Sequence, residues 1–358
     1  MKSKKAMTFA AIATAAVVML AGCASGGNSG SSTAPSTAPK VVKDLVIYTA
    51  RAKPITDYVV GAFEKAYPEY SGKVQILNLG AAAIPDRVRA EKTNPQASLW
   101  WGGTQQNLSL GVKDGLLQPW KDASFAREID PAFKDADGRW YAEYQLPQVI
   151  VYNSDALKAA DAPQDWSDLI LPKWKGKVVI RDVAPSGGMR SIFDSMILNA
   201  SPDGTNPTPG YDFLRKLDAN TVDYAADPSD LYLKLSRQLG TVTAWNLQDT
   251  LIQINQNKMP FGYLVPKSGS PVLVDGLGIV AGAPNVDGAK LFAEFLFKQD
   301  VRTKLANDFY QIPVTKIAEQ PAWLKALNLK KMDINWSVAA TNEPAWIEYW
   351  TNNIKNKH

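Results

Sequence analysis

Residues 45–54 read Leu-Val-Ile-Tyr-Thr-Ala-Arg-Ala-Lys-Pro and decide the fold, because they join an apolar strand to a helix through a short loop. The run over 45–48 has the length of a strand, and Pro54 occupies a position that suits the first turn of a helix. Apolar residues then recur at helical spacing over 59–67. The sequence therefore predicts a strand–loop–helix unit.

The same alternation continues downstream. A second strand is predicted over 74–77, a helix over 85–92, and a third strand over 97–101 that ends in two glycines. Alternating β and α elements imply a mostly parallel sheet with helices on both faces. Ligands of such sheets bind outside the carboxyl ends of the strands, which places loops 49–53 and 102–105 at the predicted site.

A second α/β unit follows in the middle of the chain. Strands are predicted over 149–153 and 178–181, and the turn Pro-Ser-Gly-Gly at 185–188 opens a helix. This turn leaves backbone N–H groups free at the helix start, which suits an anion. Two short strands are predicted within 272–280, on either side of Asp275. About 310 folded residues exceed one core, so we expect two lobes.

The N-terminal residues have the pattern of an export signal. Three lysines precede an uncharged stretch over 6–22, which is short for a permanent membrane span and within signal-sequence length. Ala21 and Gly22 before Cys23 resemble the bacterial lipobox, in which the cysteine is diacylated and becomes the mature N-terminus. The alternative is an uncleaved anchor helix with a chance cysteine. Residues 24–39 are small, uncharged and low in complexity, which predicts a flexible tether.

Composition argues against several classes of function. Cys23 is the only cysteine and His358 the only histidine, so a disulfide, a Ser-His-Asp triad or a His-ligated zinc site has no residues to be built from. Without residues 1–22 the chain has 36 basic and 35 acidic residues, a balance that does not favour nucleic acid. It contains neither a P-loop motif nor a G-x-S-x-G motif.

Four blocks of sequence carry a resemblance to a known family. They lie at 87–103 (RVRAEKTNPQASLWWGG), 137–153 (DGRWYAEYQLPQVIVYN), 165–177 and 274–285. In this order they resemble type II periplasmic substrate-binding proteins of ABC importers, and most of all the branch that holds ferric-ion-, hexose-phosphate- and phosphonate-binding proteins. The resemblance covers residues 43–318.

The resemblance implies an α/β fold of two Rossmann-like lobes joined by hinge strands, which close on a ligand and then dock on a membrane permease. It implies a monomer that binds without catalysis and needs no cofactor. The predicted layout is a signal peptide over 1–22, a lipidated Cys23 and tether over 23–42, lobe 1 over 43–146 plus 276–318, lobe 2 over 147–275, and a Trp-rich tail over 319–358 that packs on the lobes.

The resemblance leaves the ligand open, and ferric iron is the alternative ligand. Ferric-binding relatives carry two adjacent tyrosines, whose phenolates suit Fe³⁺, where this chain has Trp245 and Asn246. Four separate tyrosines could still converge on a metal, and they are Tyr144, Tyr224, Tyr263 and Tyr310. The missing tyrosine pair makes iron the less favoured ligand, and no metal site is predicted.

The loops favour a small organic anion, namely a phosphorylated sugar, a phosphate ester or a phosphonate. Arg51, Arg181 and Arg190 lie at strand ends or a helix start, where a guanidinium fits carboxylate or phosphate bidentately. Trp101 and Trp245 offer flat faces to a sugar ring. Each arginine could instead form a surface ion pair, and each tryptophan could belong to a core.

The predicted ligand-binding residues are therefore Thr49, Arg51, Trp101, Gly103, Thr104, Gln105, Arg181, Ser186, Gly187, Gly188, Arg190, Trp245, Asn246 and Asp275. Asp275 could either order the hinge or receive a ligand hydroxyl, and we favour the hinge. A lipid-anchored extracellular enzyme, such as a glycosidase with two catalytic carboxylates, is the rival class. No pair of acids in the sequence points to it.

Overall fold

The computed structural model describes residues 42–357. The predicted signal peptide, Cys23 and nearly all of the predicted tether therefore lie outside the described residues. Within the described part, no helix is both long enough and apolar enough to cross a membrane.

Strands and helices alternate through most of the described residues. The strands are β1 Leu45–Thr49, β2 Val74–Asn78, β3 Leu99–Thr104, β4 Tyr141–Asn153, β5 Val178–Arg181, β6 Thr221–Ala225, β7 Val242–Asn246, β8 Phe261–Leu264, β9 Val272–Ile279 and β10 Ile312–Pro313. The helices are α1 Lys53–Ala66, α2 Ile84–Ala90, α3 Gln105–Lys113, α4 Gly187–Ala200, α5 Thr208–Asn220, α6 Pro228–Ser236, α7 Leu247–Asn255, α8 Val286–Leu296, α9 Gln299–Phe309, α10 Ala322–Ala326 and α11 Trp336–Asn353. The strand–loop–helix unit predicted from residues 45–54 is β1 followed by α1.

Eight of the ten strands form a curled sheet in the order β2-β1-β3-β9-β4-β7-β5-β6, and β8 and β10 each pair with β4 beside this path. Strands β2, β1 and β3 are parallel to one another, and so are β7, β5 and β6. Between these two parallel sets, β9 is antiparallel to both β3 and β4, and β4 is antiparallel to β7. The α/β fold with two Rossmann-like lobes is thus confirmed, and two long antiparallel strands join the lobes.

The long strands β4 and β9 carry the chain between the lobes. Residues 141–147 of β4 pair with β9, and residues 148–152 of the same strand pair with β7. The prediction of two short strands around Asp275 is wrong, because β9 runs without a break from Val272 to Ile279. Glycine at 276 permits this, since a Cβ there would overlap the carbonyl oxygen of Tyr141 in the paired strand.

Two apolar cores lie on either side of these strands. The first gathers β1, β3, α1, α8 and α9 around Phe63, Trp101 and Phe292. The second gathers β5, β7, α4, α5 and α6 around Ile180 and Phe193. A smaller cluster around Trp100 packs on the other face of the first parallel set. Both faces of the sheet are therefore covered, as expected for parallel strands.

The C-terminal helix α11 belongs to the second core and also reaches the first lobe. Ala339, Trp346 and Trp350 are buried in the second core, and Trp350 meets Phe193 edge to face. The same helix contacts both α4 and α3. Pro344 lies inside α11 at an exposed position.

We expect Gly276→Ala to destabilise the protein by several kcal/mol, because the added methyl group can only be placed by moving β4 or β9, and overpacking costs about 1–3 kcal/mol or more. The matched control is Gly61→Ala in α1, where a Cβ would meet nothing within 4 Å. That change should stabilise by about 1 kcal/mol through helix propensity. Urea unfolding of both variants measures the difference, and an unaltered Gly276→Ala protein would contradict the close approach of the two strands.

Candidate ligand site between the lobes

Arg51 follows β1 and ties that strand to both hinge strands. Its guanidinium donates to the Tyr144 hydroxyl (2.8 Å) and forms ion pairs with Glu143 (2.7 Å) and Asp275 (2.8 Å). Its backbone N–H donates to the Thr49 hydroxyl (3.1 Å). The side chain is 3 % exposed. Both terminal nitrogens of the Arg51 guanidinium are therefore engaged, while its buried Nε makes no hydrogen bond within residues 42–357. The first role of the side chain is to join β1, β4 and β9.

Glu143 is the centre of the same group of charges. It is completely buried, and its carboxylate also accepts from the Trp101 indole N–H (2.7 Å) and pairs with Arg302 of α9 (3.2 Å). Two buried arginines thus face two buried carboxylates, Glu143 and Asp275, so the charges balance. We call Arg51, Glu143, Tyr144, Asp275 and Arg302 the Arg51 cluster.

Burial shifts the pKa values within the Arg51 cluster in opposite directions. For Asp275, burial outweighs the attraction of Arg51 and raises the pKa to about 6, although its carboxylate also accepts from the Gly103 N–H (3.0 Å). Burial lowers the pKa of Arg302 to about 10 against the opposing effect of Glu143. For Arg51, burial would lower the pKa, but Asp275 and Glu143 raise it above its ordinary value. Asp275 is therefore the member whose charge changes most readily near neutral pH.

The starts of α3 and α4, one from each lobe, meet beside the Arg51 cluster. Thr104 is the N-cap residue of α3 and donates to Asn107 (3.1 Å), and Ser186 caps α4 by accepting from the Met189 N–H (3.3 Å). A Cβ on Gly187 would lie 3.3 Å from Asn107 and 3.4 Å from Thr104. First-turn amides of a helix have no partner within the helix, and the N-terminus carries partial positive charge. Two such ends face each other here.

Two buried amide side chains border the first two turns of α4. Gln106 of α3 donates to the Ser191 hydroxyl (3.1 Å), and Gln148 of β4 donates to the Leu146 carbonyl (2.9 Å). The side-chain carbonyl oxygens of both residues are buried, and neither accepts a hydrogen bond within residues 42–357. The Gln148 oxygen lies 4.0 Å from the position of a Cβ on Gly188. A buried acceptor without a donor is costly, so these oxygens indicate a missing donor.

The three predicted arginines have separate partners. Arg181 donates to two main-chain carbonyls, and burial lowers its pKa. Arg190 donates to the Ala184 carbonyl before α4 and pairs with Glu343 of α11 (3.4 Å). The three arginines therefore do not form a convergent set of free cations. Each one binds other parts of the protein, which is close to the alternative that the sequence left open, in which each arginine forms an ion pair.

Both predicted tryptophans are also engaged. Trp101 is buried in the first core and donates to Glu143. The Trp245 indole donates to the Tyr232 hydroxyl (3.0 Å) and to Asp249 (3.2 Å), and Asn246 caps α7 while donating to Asp249 (2.9 Å). Asp249 is close enough to Tyr144 of β4 to raise its pKa further, after burial, Asp275 and Glu143. The end of β7 is thus brought towards the Arg51 cluster.

The four tyrosines considered for iron lie in different surroundings. Tyr144 belongs to the Arg51 cluster, Tyr224 donates to a carboxylate, Tyr263 lies in β8, and Tyr310 packs beside a tryptophan. Within residues 42–357, no three His, Cys, Asp or Glu side chains are grouped for a metal ion.

The structure thus brings five of the predicted residues together in the first lobe, namely Thr49, Arg51, Trp101, Gly103 and Asp275. It also brings Thr104 at the start of α3 close to Gly187 at the start of α4 in the other lobe. Sequence reasoning missed Glu143, Arg302, Gln106, Gln148 and Asp249. Only Glu143 had a local signal, since it is the one charged residue in the largely buried strand β4.

Comparison with known proteins identifies the class that this fold and site define. Residues 59–331 match the family model described as bacterial extracellular solute-binding protein. The chain is 29 % identical over 281 residues to a probable ABC transporter periplasmic-binding protein of Sinorhizobium fredii, covering 77 % of this chain and 78 % of the relative.

Solved structures of binding proteins share the fold. The periplasmic binding protein AfuA from Actinobacillus pleuropneumoniae, with fructose-6-phosphate bound, matches with a TM-score of 0.76 and 26 % identity over 88 % of this chain and 99 % of that one. The ferric binding protein from Campylobacter jejuni matches with a TM-score of 0.76 and 20 % identity over 86 % of this chain and 98 % of that one, which shows the fold alone.

These matches define an ABC-type solute-binding protein, whose relatives serve transport and not catalysis. The chain belongs to the bacterial extracellular solute-binding protein family. The resemblance seen in the sequence is thereby confirmed, and a small-molecule ligand and permease partners follow from the family.

The raised pKa of Asp275 predicts how the stability of the folded protein depends on pH. Its pKa is raised to about 6 in the folded protein from about 3.9 in an unfolded chain, so the folded state binds more protons between these values and loses stability as pH rises. Relative to Asp275→Asn, the unfolding free energy of the wild type should fall by about 3 kcal/mol from about pH 4 to about pH 7. Denaturant titrations across this range measure the difference, and Asp57→Asn, in the exposed pair with Lys53, is the control. A constant difference between wild type and Asp275→Asn would contradict the raised pKa.

Proposed function

We propose that this protein captures a small organic anion between its lobes, by a phosphate or phosphonate group, and delivers it to the permease of an ABC importer. A phosphorylated sugar is the preferred ligand. The observation that carries the proposal is the meeting of the N-termini of α3 and α4 from opposite lobes, with Gly187 and Gly188 in the first turn of α4. Backbone amides and helix dipoles at such ends bind phosphate without a charged side chain.

This mode of binding replaces the arginine clamp expected from the sequence. Arg51 is held by Glu143 and Asp275, so anion binding through its guanidinium would first have to break a buried ion pair. Its proposed role is to fix β1 and Gly103, which precedes Thr104 at the start of α3, through Asp275. Arg190 similarly fixes the loop before α4 by binding the Ala184 carbonyl.

Two buried oxygens support a hydroxyl-bearing ligand over a bare phosphate ion. Gln148, beside Gly188 in the first turn of α4, and Gln106, which donates to Ser191 in the second turn, each keep a side-chain oxygen without a donor. Hydroxyl groups of a sugar next to its phosphate would supply those donors and remove the cost of leaving them unpaired. The likeness to AfuA, whose solved structure holds fructose-6-phosphate, points the same way.

The mechanism proposed is capture by closure. A ligand that contacts α3 in one lobe and α4 in the other binds the closed arrangement more tightly than the open one, so it shifts the population towards closure. The hinge would be β4 and β9 near residues 145–152 and 274–278. We propose lobe 1 over 43–146 plus 276–318, and lobe 2 over 147–275.

We also propose that the protein acts as a monomer held at the outer face of the cytoplasmic membrane by a lipid on Cys23. The observation behind this is the sequence before the described residues, where three lysines and an uncharged stretch precede Ala21, Gly22 and Cys23. The uncharged segment over 24–39 would give the folded part freedom to reach the permease.

Gly188→Asp should weaken binding of glucose 6-phosphate strongly, because a carboxylate placed in the first turn of α4 repels the phosphate and competes for the same amides. The expected loss of affinity is about a hundredfold or more, from a buried charge interaction of about 2–5 kcal/mol. Gly188→Ala adds a methyl group without charge and is the matched control. Isothermal titration calorimetry gives the affinities, and thermal melting of the free proteins checks that both variants fold.

A panel of probes decides between anion and iron. Hexose phosphates and aminoalkyl phosphonates should raise the melting temperature, since a ligand of the folded state alone stabilises it. The same sugars without phosphate should do little. A visible charge-transfer band that vanishes on chelation, together with no response to any anion in the panel, would overturn the proposal in favour of ferric iron.

Cys23→Ala should release the protein from the membrane fraction, because it removes the only thiol available for acylation. Ligand affinity and melting temperature should be unchanged. Fractionation followed by immunoblotting tests this, with Ser25→Ala in the tether as the control. Retention of the Cys23→Ala protein on membranes after a salt wash would contradict the lipid anchor.

A further inference from the structure

A cavity of about 580 Å³ lies between α3 and the first turns of α11. One wall is a single face of α3, formed by Gln105, Ser109 and Lys113 at spacings of four residues. The opposite wall runs along α11 from Trp336 to Pro344. The volume lies within the range of small-molecule sites.

The cavity offers hydrogen-bonding groups that nothing else in the described chain uses. The side chains of Gln105 and Ser109 and the indole N–H of Trp336 make no hydrogen bond within residues 42–357. Pro344 has no N–H, so the Ala340 carbonyl lacks the partner that a helix normally provides four residues on. Donors and acceptors are therefore both available.

Aromatic rings complete the lining. Phe133, Trp140 and Trp336 line the cavity together with these polar groups, and of the lining residues only Lys113 is charged. A site without carboxylates does not favour a cation. Flat apolar rings beside hydroxyl and amide groups suit a neutral sugar ring, which has apolar faces and a polar edge.

The cavity adjoins the proposed phosphate position. Gln105 lines the cavity and directly follows Thr104, the N-cap residue of α3, whose side chain faces Gly187 of α4. Consecutive Cα atoms are about 3.8 Å apart, so the two positions lie within the reach of one ligand. This adjacency places the cavity close to the site between the lobes.

We propose that the cavity is a second subsite that takes a neutral sugar ring joined to the phosphorylated sugar, so that the natural ligand is at least a disaccharide phosphate. This inference rests on the proposed function and adds the size of the ligand to it. Binding at this subsite would also depend on closure of the lobes. The helix α11 is buried in the second core through Trp346 and Trp350, whereas α3 belongs to the first lobe. A ring between them is held only when the lobes approach.

The test compares glucose 6-phosphate, trehalose 6-phosphate and trehalose by calorimetry on the full chain. Trehalose 6-phosphate should bind at least about tenfold more tightly than glucose 6-phosphate, a difference of about 1.4 kcal/mol. Trehalose alone should bind weakly. Ser109→Trp, which fills the cavity from α3, should remove the advantage of the larger ligand and leave the affinity for glucose 6-phosphate unchanged. Ser229→Trp, on the exposed surface of α6, is the control.

The outcomes separate this inference from the proposed function. Equal affinity of the wild type for the two sugar phosphates would overturn the second subsite and leave the proposed function in place. Equal weakening of both ligands by Ser109→Trp would show one shared site and would also overturn it. No binding of either sugar phosphate would overturn the proposed function and this inference together.

Discussion

The buried carboxylate of Glu143 is the interaction on which the rest of the molecule depends. It receives Arg51 from the end of β1, Trp101 from β3 and Arg302 from α9. Loss of one partner from a buried charge group leaves an unpaired charge in a dry interior, at a cost of about 3–5 kcal/mol. The loops at the carboxyl ends of β1 and β3 therefore have defined positions before any ligand arrives, and Asp275 extends the same order to Gly103.

A rigid platform on one side and a movable surface on the other are what a binding protein with two lobes requires. The charges of the Arg51 cluster cancel, so in the proposed mode of binding the attraction for an anion would come from the backbone at the starts of α3 and α4. Because those helices belong to different lobes, the affinity of the proposed site would depend on how closely the lobes approach. The helix α11 also links the two lobes, since it is buried in the second core and contacts α3 of the first lobe.

Local pattern in the sequence was enough to predict the alternating strands and helices, the turn at the start of α4 and the presence of two lobes. It was not enough for the partners of Arg51, since Glu143 lies 92 residues away along the chain and is one of 35 acids. A strand-end arginine looks the same in sequence whether it awaits a ligand or is already paired. The break expected at Asp275 was wrong because an acid and two glycines in β9 read as a turn, while tertiary pairing with β4 overrides that preference.

The partners of Glu143 lie far from it in the sequence, and this separation has a consequence for the order of folding. Its partner Arg302 lies 159 residues later in the chain, and β3 pairs with β9 across a similar distance. Contacts between residues far apart in sequence form slowly, because the chain loses the entropy of closing a long loop before the contact stabilises it. The first lobe cannot complete its core until the ribosome has passed Arg302, so we expect the nascent chain to remain loosely structured through most of its synthesis. A chain that stays open for that long is well suited to being threaded through a translocation channel before it folds.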